Sequence, residues 1–221
     1  MTEAQPALQP GEENATSLPR ELIARGRLVI FGATLAVELA IFFGAMIYPI
    51  DPAQQQELVR QANSILGSTG NQTSVSIFTA ILSNNARVAG VEMIPAAGAA
   101  LFVASIFTTG QIIQALAISS NVPGPLFGVL LFFFPFAIVE LSAYAIAVAS
   151  GSMLIVAWRR KTLGREAKVF VLEVGLVFFC VFLAAAMETV GIVSPVVGFA
   201  LWLPTAVGIF ALVMIVRESW R

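Results

Sequence analysis

The sequence predicts an all-α fold, a polytopic transmembrane helical bundle of about six spans with both termini on the cytoplasmic side. Its 221 residues are 58% hydrophobic and only 11% charged, and the mean hydropathy is +0.88. Soluble domains carry about a quarter charged residues and about half apolar ones. Several apolar runs also reach the roughly 20 residues that a helix needs to cross about 30 Å of hydrocarbon. The lipid bilayer is therefore the expected surroundings of this chain.

The domain organisation follows from where the apolar runs begin. Residues 1–27 are polar and contain three prolines, which predicts a flexible cytoplasmic tail. Residues 28–217 are predicted to form the transmembrane helical domain. Its clearest spans are residues 28–50, 94–119, 126–157, 169–193 and 196–216, and residues 74–91 make a sixth, more polar one.

The orientation of the spans follows from the basic residues, because short loops rich in Lys and Arg stay in the cytoplasm. Loop 158–168 holds five basic residues and one acid, which places it inside. The segment after the first span holds one Arg, with Asp51 and Glu57, and is placed outside, with an amphipathic helix around Pro52–Leu66. An odd number of crossings must join these two segments, so residues 74–91 are expected to cross.

A second topology stays open. Residues 126–157 can divide at Pro135 into two pieces, because a continuous helix of that length would be about 48 Å long at 1.5 Å per residue. Residues 74–91 would then form a re-entrant hairpin. The two topologies differ in whether residues 74–91 fully cross the bilayer.

The stretch ILSNNARVAG, at 81–90, places polar side chains within apolar sequence. A charged side chain at the bilayer centre costs about 2.5–3.5 kcal/mol, so it needs a partner. Asn84 and Arg87 are three residues apart and share a helix face. Glu140 lies mid-span on a face of small residues. We therefore predict an Arg87–Glu140 ion pair within a buried polar cluster of Asn84, Asn85, Arg87 and Glu140.

Other polar or small residues are candidate outlying members of this cluster. Glu38 falls near a span centre and Glu188 toward the outer end of its span, whereas Glu92 and Glu173 fall near inner ends, where headgroups or water are within reach. Gln111 shares a face with a second glutamine, which suits hydrogen bonds between helices. The full set of candidates is Glu38, Gly110, Gln111, Gln114, Tyr144 and Glu188.

Several classes of function lack the residues that they need. The chain has no histidine, which excludes a His-bearing zinc site and a Ser–His protease, and Asp51 is its only aspartate. It also lacks a glycine-rich phosphate loop with its lysine and a basic nucleic-acid footprint. We therefore expect no catalytic residue, no metal, no cofactor and no nucleic-acid partner.

Four short motifs resemble those of the stage II sporulation protein M family. The paired asparagines and arginine at 81–89 are one, and Gly110 falls where that family has Asn-Gly, with Thr109 in place of the Asn. Segment 135–143, PFAIVELSA, is similar to a Pro-His-Gly-x-x-Glu-x-x-Ala motif with Phe and Ala in place of the His and Gly, and AAME at 185–188 resembles a late glutamate motif. The resemblance covers residues 74–193, about half the chain.

The resemblance implies a non-enzymatic protein of the cell membrane. Founding bacterial members of the family act as a membrane scaffold for peptidoglycan-degrading enzymes at the septum. A scaffold or complex subunit is therefore expected here, with other membrane proteins or further copies of the chain as partners. The alternative is a transporter or channel component that uses the polar cluster as an ion or proton pathway, because interrupted spans such as the one at Pro135 often flank transport sites.

Overall fold

The computed structural model describes residues 21–66 and 73–219. This part of the chain is helical throughout, with short connections, which confirms the predicted all-α bundle. Residues 1–20, most of the predicted tail, lie outside the described residues. In chain order the helices are α1 (Arg25–Ile47), α2 (Pro52–Leu66), α3 (Ser74–Glu92), α4 (Ala97–Ser119), α5 (Gly124–Leu131), α6 (Pro135–Arg159), α7 (Leu163–Val193), α8 (Pro195–Ala200) and α9 (Trp202–Ser219).

Five helical segments of the described chain are long and apolar enough to cross a membrane: α1, α4, α6, α7, and α8 together with α9. The protein is therefore a multi-pass membrane protein. Helix α3 is more polar and is not among the five. Its 19 residues form one continuous helix, about 28 Å long at 1.5 Å per residue. It is thus not a re-entrant hairpin, and its length suits the predicted sixth crossing.

Helices α6 and α7 form an antiparallel pair at the centre of the bundle. Helix α1 packs against α4 and α6, and α3 packs against α7 and α6. The helix α7 begins six residues before the predicted span, at Leu163. The connection that was predicted to be cytoplasmic is therefore only a short turn, in which Lys161 has a left-handed φ of 59°. Hydropathy marks only the apolar part of a helix, which is why the polar first turns of α7 were assigned to a loop.

The predicted span 126–157 is interrupted, as the second topology proposed. Helix α5 ends at Leu131 and α6 begins at Pro135. Proline lacks a backbone N–H and disfavours helical geometry in the preceding residue, and Phe134 is accordingly extended, with φ −110° and ψ 131°. The indole of Trp202 donates a 2.8 Å hydrogen bond to the backbone oxygen of Phe133, within the interruption. The interruption at Pro135 and an unbroken α3 thus occur in the same structure, whereas the second topology combined the interruption with a re-entrant hairpin at residues 74–91.

Helix α2 lies across the outer ends of α3 and α4. It is amphipathic, as predicted, and buries Leu58 and Ala62 beneath it. The amide of Gln54 donates to the side-chain oxygen of Gln111 at 3.3 Å, and the amide of Gln55 donates to the hydroxyl of Ser119 at 3.2 Å. These polar contacts hold α2 over the bundle on the predicted outer side.

Candidate functional site

Glu140 is the centre of a hydrogen-bonded network between α3 and α6. The hydroxyl of Tyr144, one turn further along α6, donates to Oε1 of Glu140 at 2.8 Å. The side chain of Asn85 also donates to this carboxylate, and the amide of Asn84 donates to Oδ1 of Asn85 at 3.2 Å. The structure thus brings four of the predicted site residues together through direct contacts.

Arg87 contacts this network only through Asn84 and not, as was predicted, through Glu140. Its side chain is exposed and donates to Oδ1 of Asn84 at 3.3 Å. Among the ion pairs of the described residues, none joins Arg87 to Glu140, so the predicted pairing is wrong. Arg87 is exposed because α3 buries a different face, which carries Ile81, Asn85, Ala89 and Glu92. Arg87 is two residues from Asn85 and therefore about 200° further around the helix.

The network lies in the wall of a cavity of about 480 Å³, within the range of small-molecule sites. The cavity lies beneath Ala62 of α2, among α3, α4, the interrupted span and α7. Its polar lining, besides Tyr144, consists of Asn84, Asn85, Ser105, Thr109, Glu140 and Glu188. Its aromatic lining consists of Phe42, Phe127, Phe132, Phe134 and Phe136. Several of the predicted polar residues are thus arranged around one half-open space among the helices.

Glu188 enters the cavity from α7 and faces the network. Its side chain is half-buried and lines the cavity. It interacts electrostatically with Glu140, a group of the same charge. None of the side-chain hydrogen bonds and ion pairs between described residues includes Glu188. The cavity therefore holds one hydrogen-bonded carboxylate and one without such a partner.

Two further carboxylates lie deeper in the bundle. Glu38 is fully buried on α1, and neither of its oxygens has a hydrogen-bond partner among the described residues. Glu92 is also buried and accepts a 2.6 Å hydrogen bond from the hydroxyl of Ser105. Both interact electrostatically with Glu140. The expectation that Glu92 reaches headgroups or water is wrong, because α4 turns back tightly and places Gly98 against the Glu92 carbonyl.

Gly110, Gln111 and Gln114 belong to a different part of the bundle. A methyl group on Gly110 would lie 2.6 Å from both the Ala45 Cβ atom and the Phe42 oxygen, so this glycine permits the close contact of α4 with α1. The amide of Gln111 donates to the backbone oxygen of Ala45 at 2.6 Å, at the last turn of α1. The Oε1 atom of Gln114 is buried without a partner among the described residues. Gly110 and Gln111 thus hold α4 against α1, and none of the three residues lines the cavity.

A charged cluster at the predicted inner end was missed from the sequence. Arg27, at the start of α1, forms ion pairs with Glu166, at 2.7 Å, and with Glu173. Glu173 is fully buried and Arg27 nearly so, which makes the expectation of a headgroup-facing Glu173 wrong. The sequence signal that could have indicated this cluster is the spacing of Glu166 and Glu173, which are seven residues apart and share a face of α7. Their partner on α1 is far away in sequence and follows no local pattern.

The arrangement has the chemistry of a site that holds cations or protons. Its ionisable groups are carboxylates in a largely apolar setting, where an unpaired charge is costly. Within residues 21–66 and 73–219, no group of three or more His, Cys, Asp or Glu side chains is arranged to hold a metal ion. The fold and the site together define a polytopic helical membrane protein whose spans surround a largely apolar cavity with several polar side chains in its wall.

Comparison with known families assigns this membrane protein more narrowly. The family model described as Stage II sporulation protein M matches residues 29–195, about three quarters of the chain. The chain belongs to this family, and the likeness includes α1 as well as the predicted core from residue 74. No curated protein and no solved structure matches the chain. The match ends at the first residue of α8.

Proposed function

We propose that this protein is a non-enzymatic scaffold or subunit of a complex in the cell membrane. Membership of the stage II sporulation protein M family supports this role, since the founding members organise other proteins at the septum. The partners that this role requires are other membrane proteins or further copies of the chain. The observation that carries the proposal is the exposure of the last helix, α9.

Helix α9 packs very little against its own chain. No residue of Trp202–Ser219 is buried, and Leu203 and Phe210 are 76% and 66% exposed. The bundle formed by α1 to α7, in contrast, buries residues on every one of its spans. Because lipid tails are as apolar as leucine, no hydrophobic force draws α9 back onto this bundle. The helix is thus available to a neighbouring protein.

The surface of α9 also suits close contact with another helix. Thr205, Gly208 and Ala211 recur every three residues, and a methyl group on Gly208 would meet nothing within 4 Å. Small residues let helix backbones approach closely within a membrane. The helix lies beyond the part of the chain that the family model matches. A transmembrane helix that is attached to the bundle but leaves its small-residue surface uncovered can bind a helix of a partner protein.

The test replaces the surface of α9 while keeping its length and its apolar character. In the variant, residues 205–216 become leucine, and the matched control places leucine at the exposed α7 positions Val171, Phe179 and Phe182. Each tagged protein is purified from membranes of its host and its assembly mass is measured by native mass spectrometry. We expect the α9 variant to lose its partners and the control to keep them. Identical assemblies for all three proteins would contradict the proposal.

The cavity favours a second candidate function, a component of a transporter or channel. Carboxylates at several depths, on Glu188, Glu140, Glu92 and Glu38, lie beside a span that is interrupted, an arrangement known from transport proteins. This candidate predicts ion or proton flux through the purified protein in sealed liposomes, and a loss of that flux in a folded Glu140→Gln variant. An absence of flux in both proteins would exclude it.

A further inference from the structure

We propose that the cavity binds an organic cation, an ammonium or similar group carried on an apolar body. The proposal goes beyond the scaffold role and does not depend on it. It rests on three observations about the lining of the cavity: the charge of its ionisable groups, its aromatic side chains and its size.

The ionisable groups that line the cavity are all acids. They are Glu140, Glu188 and Tyr144, and the described lining contains no Arg or Lys. Glu140 accepts hydrogen bonds from Tyr144 and Asn85, but Glu188 has no such partner and faces a second carboxylate. A cation placed between them supplies the missing opposite charge, which is worth more in an apolar setting than in water.

The rest of the lining suits the apolar part of such a ligand. Phenylalanines from α1 and from the interrupted span meet in the cavity, and rings of this kind attract cations through their faces. Phe134 and Phe136 are stacked, with ring centroids 6.1 Å apart and ring planes inclined by 29°. The remaining wall consists largely of aliphatic residues of α3, α4 and α7. Such a wall stabilises an organic cation better than a hydrated metal ion, since it offers few oxygen ligands.

The size and the charge of the cavity also limit its ligands. A volume of about 480 Å³ accommodates a drug-sized molecule but not a whole two-chain lipid. Phosphate groups are bound by arginine, lysine or backbone N–H groups, and the described lining has no such basic side chain. A zwitterionic phospholipid headgroup is therefore disfavoured. The ligand has a net positive charge, whether it is a free amine or the head of a single-chain amphiphile.

The proposal can be tested with two ions of nearly equal size and opposite charge. The probes are tetraphenylphosphonium, a cation, and tetraphenylborate, an anion, and the protein is the full chain in detergent micelles. Binding is measured by equilibrium dialysis against protein-free micelles. We expect saturable binding of one tetraphenylphosphonium per chain and binding of tetraphenylborate that is at least tenfold weaker. Equal binding of both ions, or of neither, would overturn the proposal.

Two kinds of variant locate the bound cation. Replacing both carboxylates, Glu140→Gln with Glu188→Gln, should weaken the binding of tetraphenylphosphonium at least tenfold. The control Glu218→Gln makes a one-charge change at an exposed position of α9 and should leave binding unaltered. Ile192→Trp fills the cavity without changing its charge and should also abolish binding. The melting temperature of each protein is measured to identify variants that do not fold. Full binding by a folded Ile192→Trp variant would contradict the site.

The natural source of the ligand is found by native mass spectrometry of protein extracted gently from its membranes. A bound mass that fragments to a small amine indicates a free cation, and one that yields an aminated single chain indicates an amphiphile. Either result supports the proposal. A phospholipid whose acyl chain is displaced by tetraphenylphosphonium and tetraphenylborate alike would show that the cavity is only a lipid crevice.

Discussion

Gln111 on α4 donates its amide hydrogen bond to the backbone oxygen of Ala45 on α1, at 2.6 Å. The acceptor belongs to the last turn of α1 and also accepts a 3.3 Å hydrogen bond from the backbone N–H of Tyr48. The Gln111 side chain thus adds a second hydrogen bond at the end of a neighbouring span, where helix carbonyl groups lack their usual partners. The contact couples the position of α4 to that of α1 and, through the hydrogen bond from Gln54, to α2.

Replacing Gln111 with leucine should therefore destabilise the bundle. Side-chain hydrogen bonds between membrane helices contribute about 0.6 kcal/mol on average and up to about 1.7 kcal/mol. We expect a loss of about 1 kcal/mol in the free energy of unfolding, measured by denaturation in mixed micelles. Gln114→Leu is the matched control, because the buried Oε1 atom of Gln114 has no partner among the described residues, and it should be neutral or stabilising. Equal losses for both variants would contradict the role of the hydrogen bond.

Gly110→Ala should push α4 away from α1. The added methyl group would lie 2.6 Å from the Ala45 Cβ atom and from the Phe42 oxygen, and neither neighbour is a flexible side-chain end. Overpacking of this kind costs about 1–3 kcal/mol. Gly175→Ala on α7 is the control, since its new methyl group meets nothing within 4 Å and alanine favours helix. Thermal unfolding in the same detergent should separate the two variants in opposite directions.

Arg27 and Glu173 should show strong coupling in a double-mutant cycle. Removing one member of a buried ion pair leaves the other charge without its partner and costs about 3–5 kcal/mol. We expect Arg27→Met to be severely destabilising and the addition of Glu173→Gln to restore much of the loss. The measurement is the free energy of unfolding of the two single variants and the double variant. Additive losses would mean that the two charges do not depend on each other.

Glu57, on the exposed face of α2, should titrate unusually low. Hydrogen bonds from Arg60, at 2.8 and 2.7 Å, and from Gln61 lower the pKa of Glu57 to about 2. A lowered pKa means that the contribution to stability is present above the usual value of 4.5 and is lost as the pH falls through about 2. NMR titration of the Glu57 carboxyl carbon checks this. Arg60→Gln should return the pKa toward 4.5, and high salt should do so in part.

The sequence predicted the fold well because length and hydropathy decide where helices cross a membrane. The amphipathic helix α2 and the break before Pro135 also follow from local patterns, since side-chain periodicity and a missing N–H act within a few residues. The packing of α9 could not be predicted in this way. Val207 and Phe210 are as apolar as the residues that α7 buries, and hydropathy does not distinguish lipid from protein as their neighbour.

The sequence predicted which residues belong to the candidate site better than it predicted which of them contact each other. Glu140 and Asn85 meet because both lie on buried faces, and apolar surroundings make such groups conspicuous in a sequence. Asn84 and Arg87 do lie on one face of α3, as their spacing predicts, but this spacing does not determine which face of α3 is buried. The pairing of Arg27 with Glu173 depends on how α1 crosses α7, which no local spacing encodes.

The connection between α5 and α6, residues 132–134, links the last span to the cavity. Phe132 and Phe134 form part of the cavity wall, and the carbonyl of Phe133 between them is held by the indole of Trp202 at the start of α9. A partner protein that binds α9 and moves Trp202 away also breaks this hydrogen bond. The Phe132 and Phe134 rings beside the carbonyl are then held less tightly. The position of a bound partner protein would then influence the packing of the cavity wall. Trp202→Phe would remove the hydrogen bond to the Phe133 carbonyl while leaving the rest of α9 and the lining of the cavity unchanged.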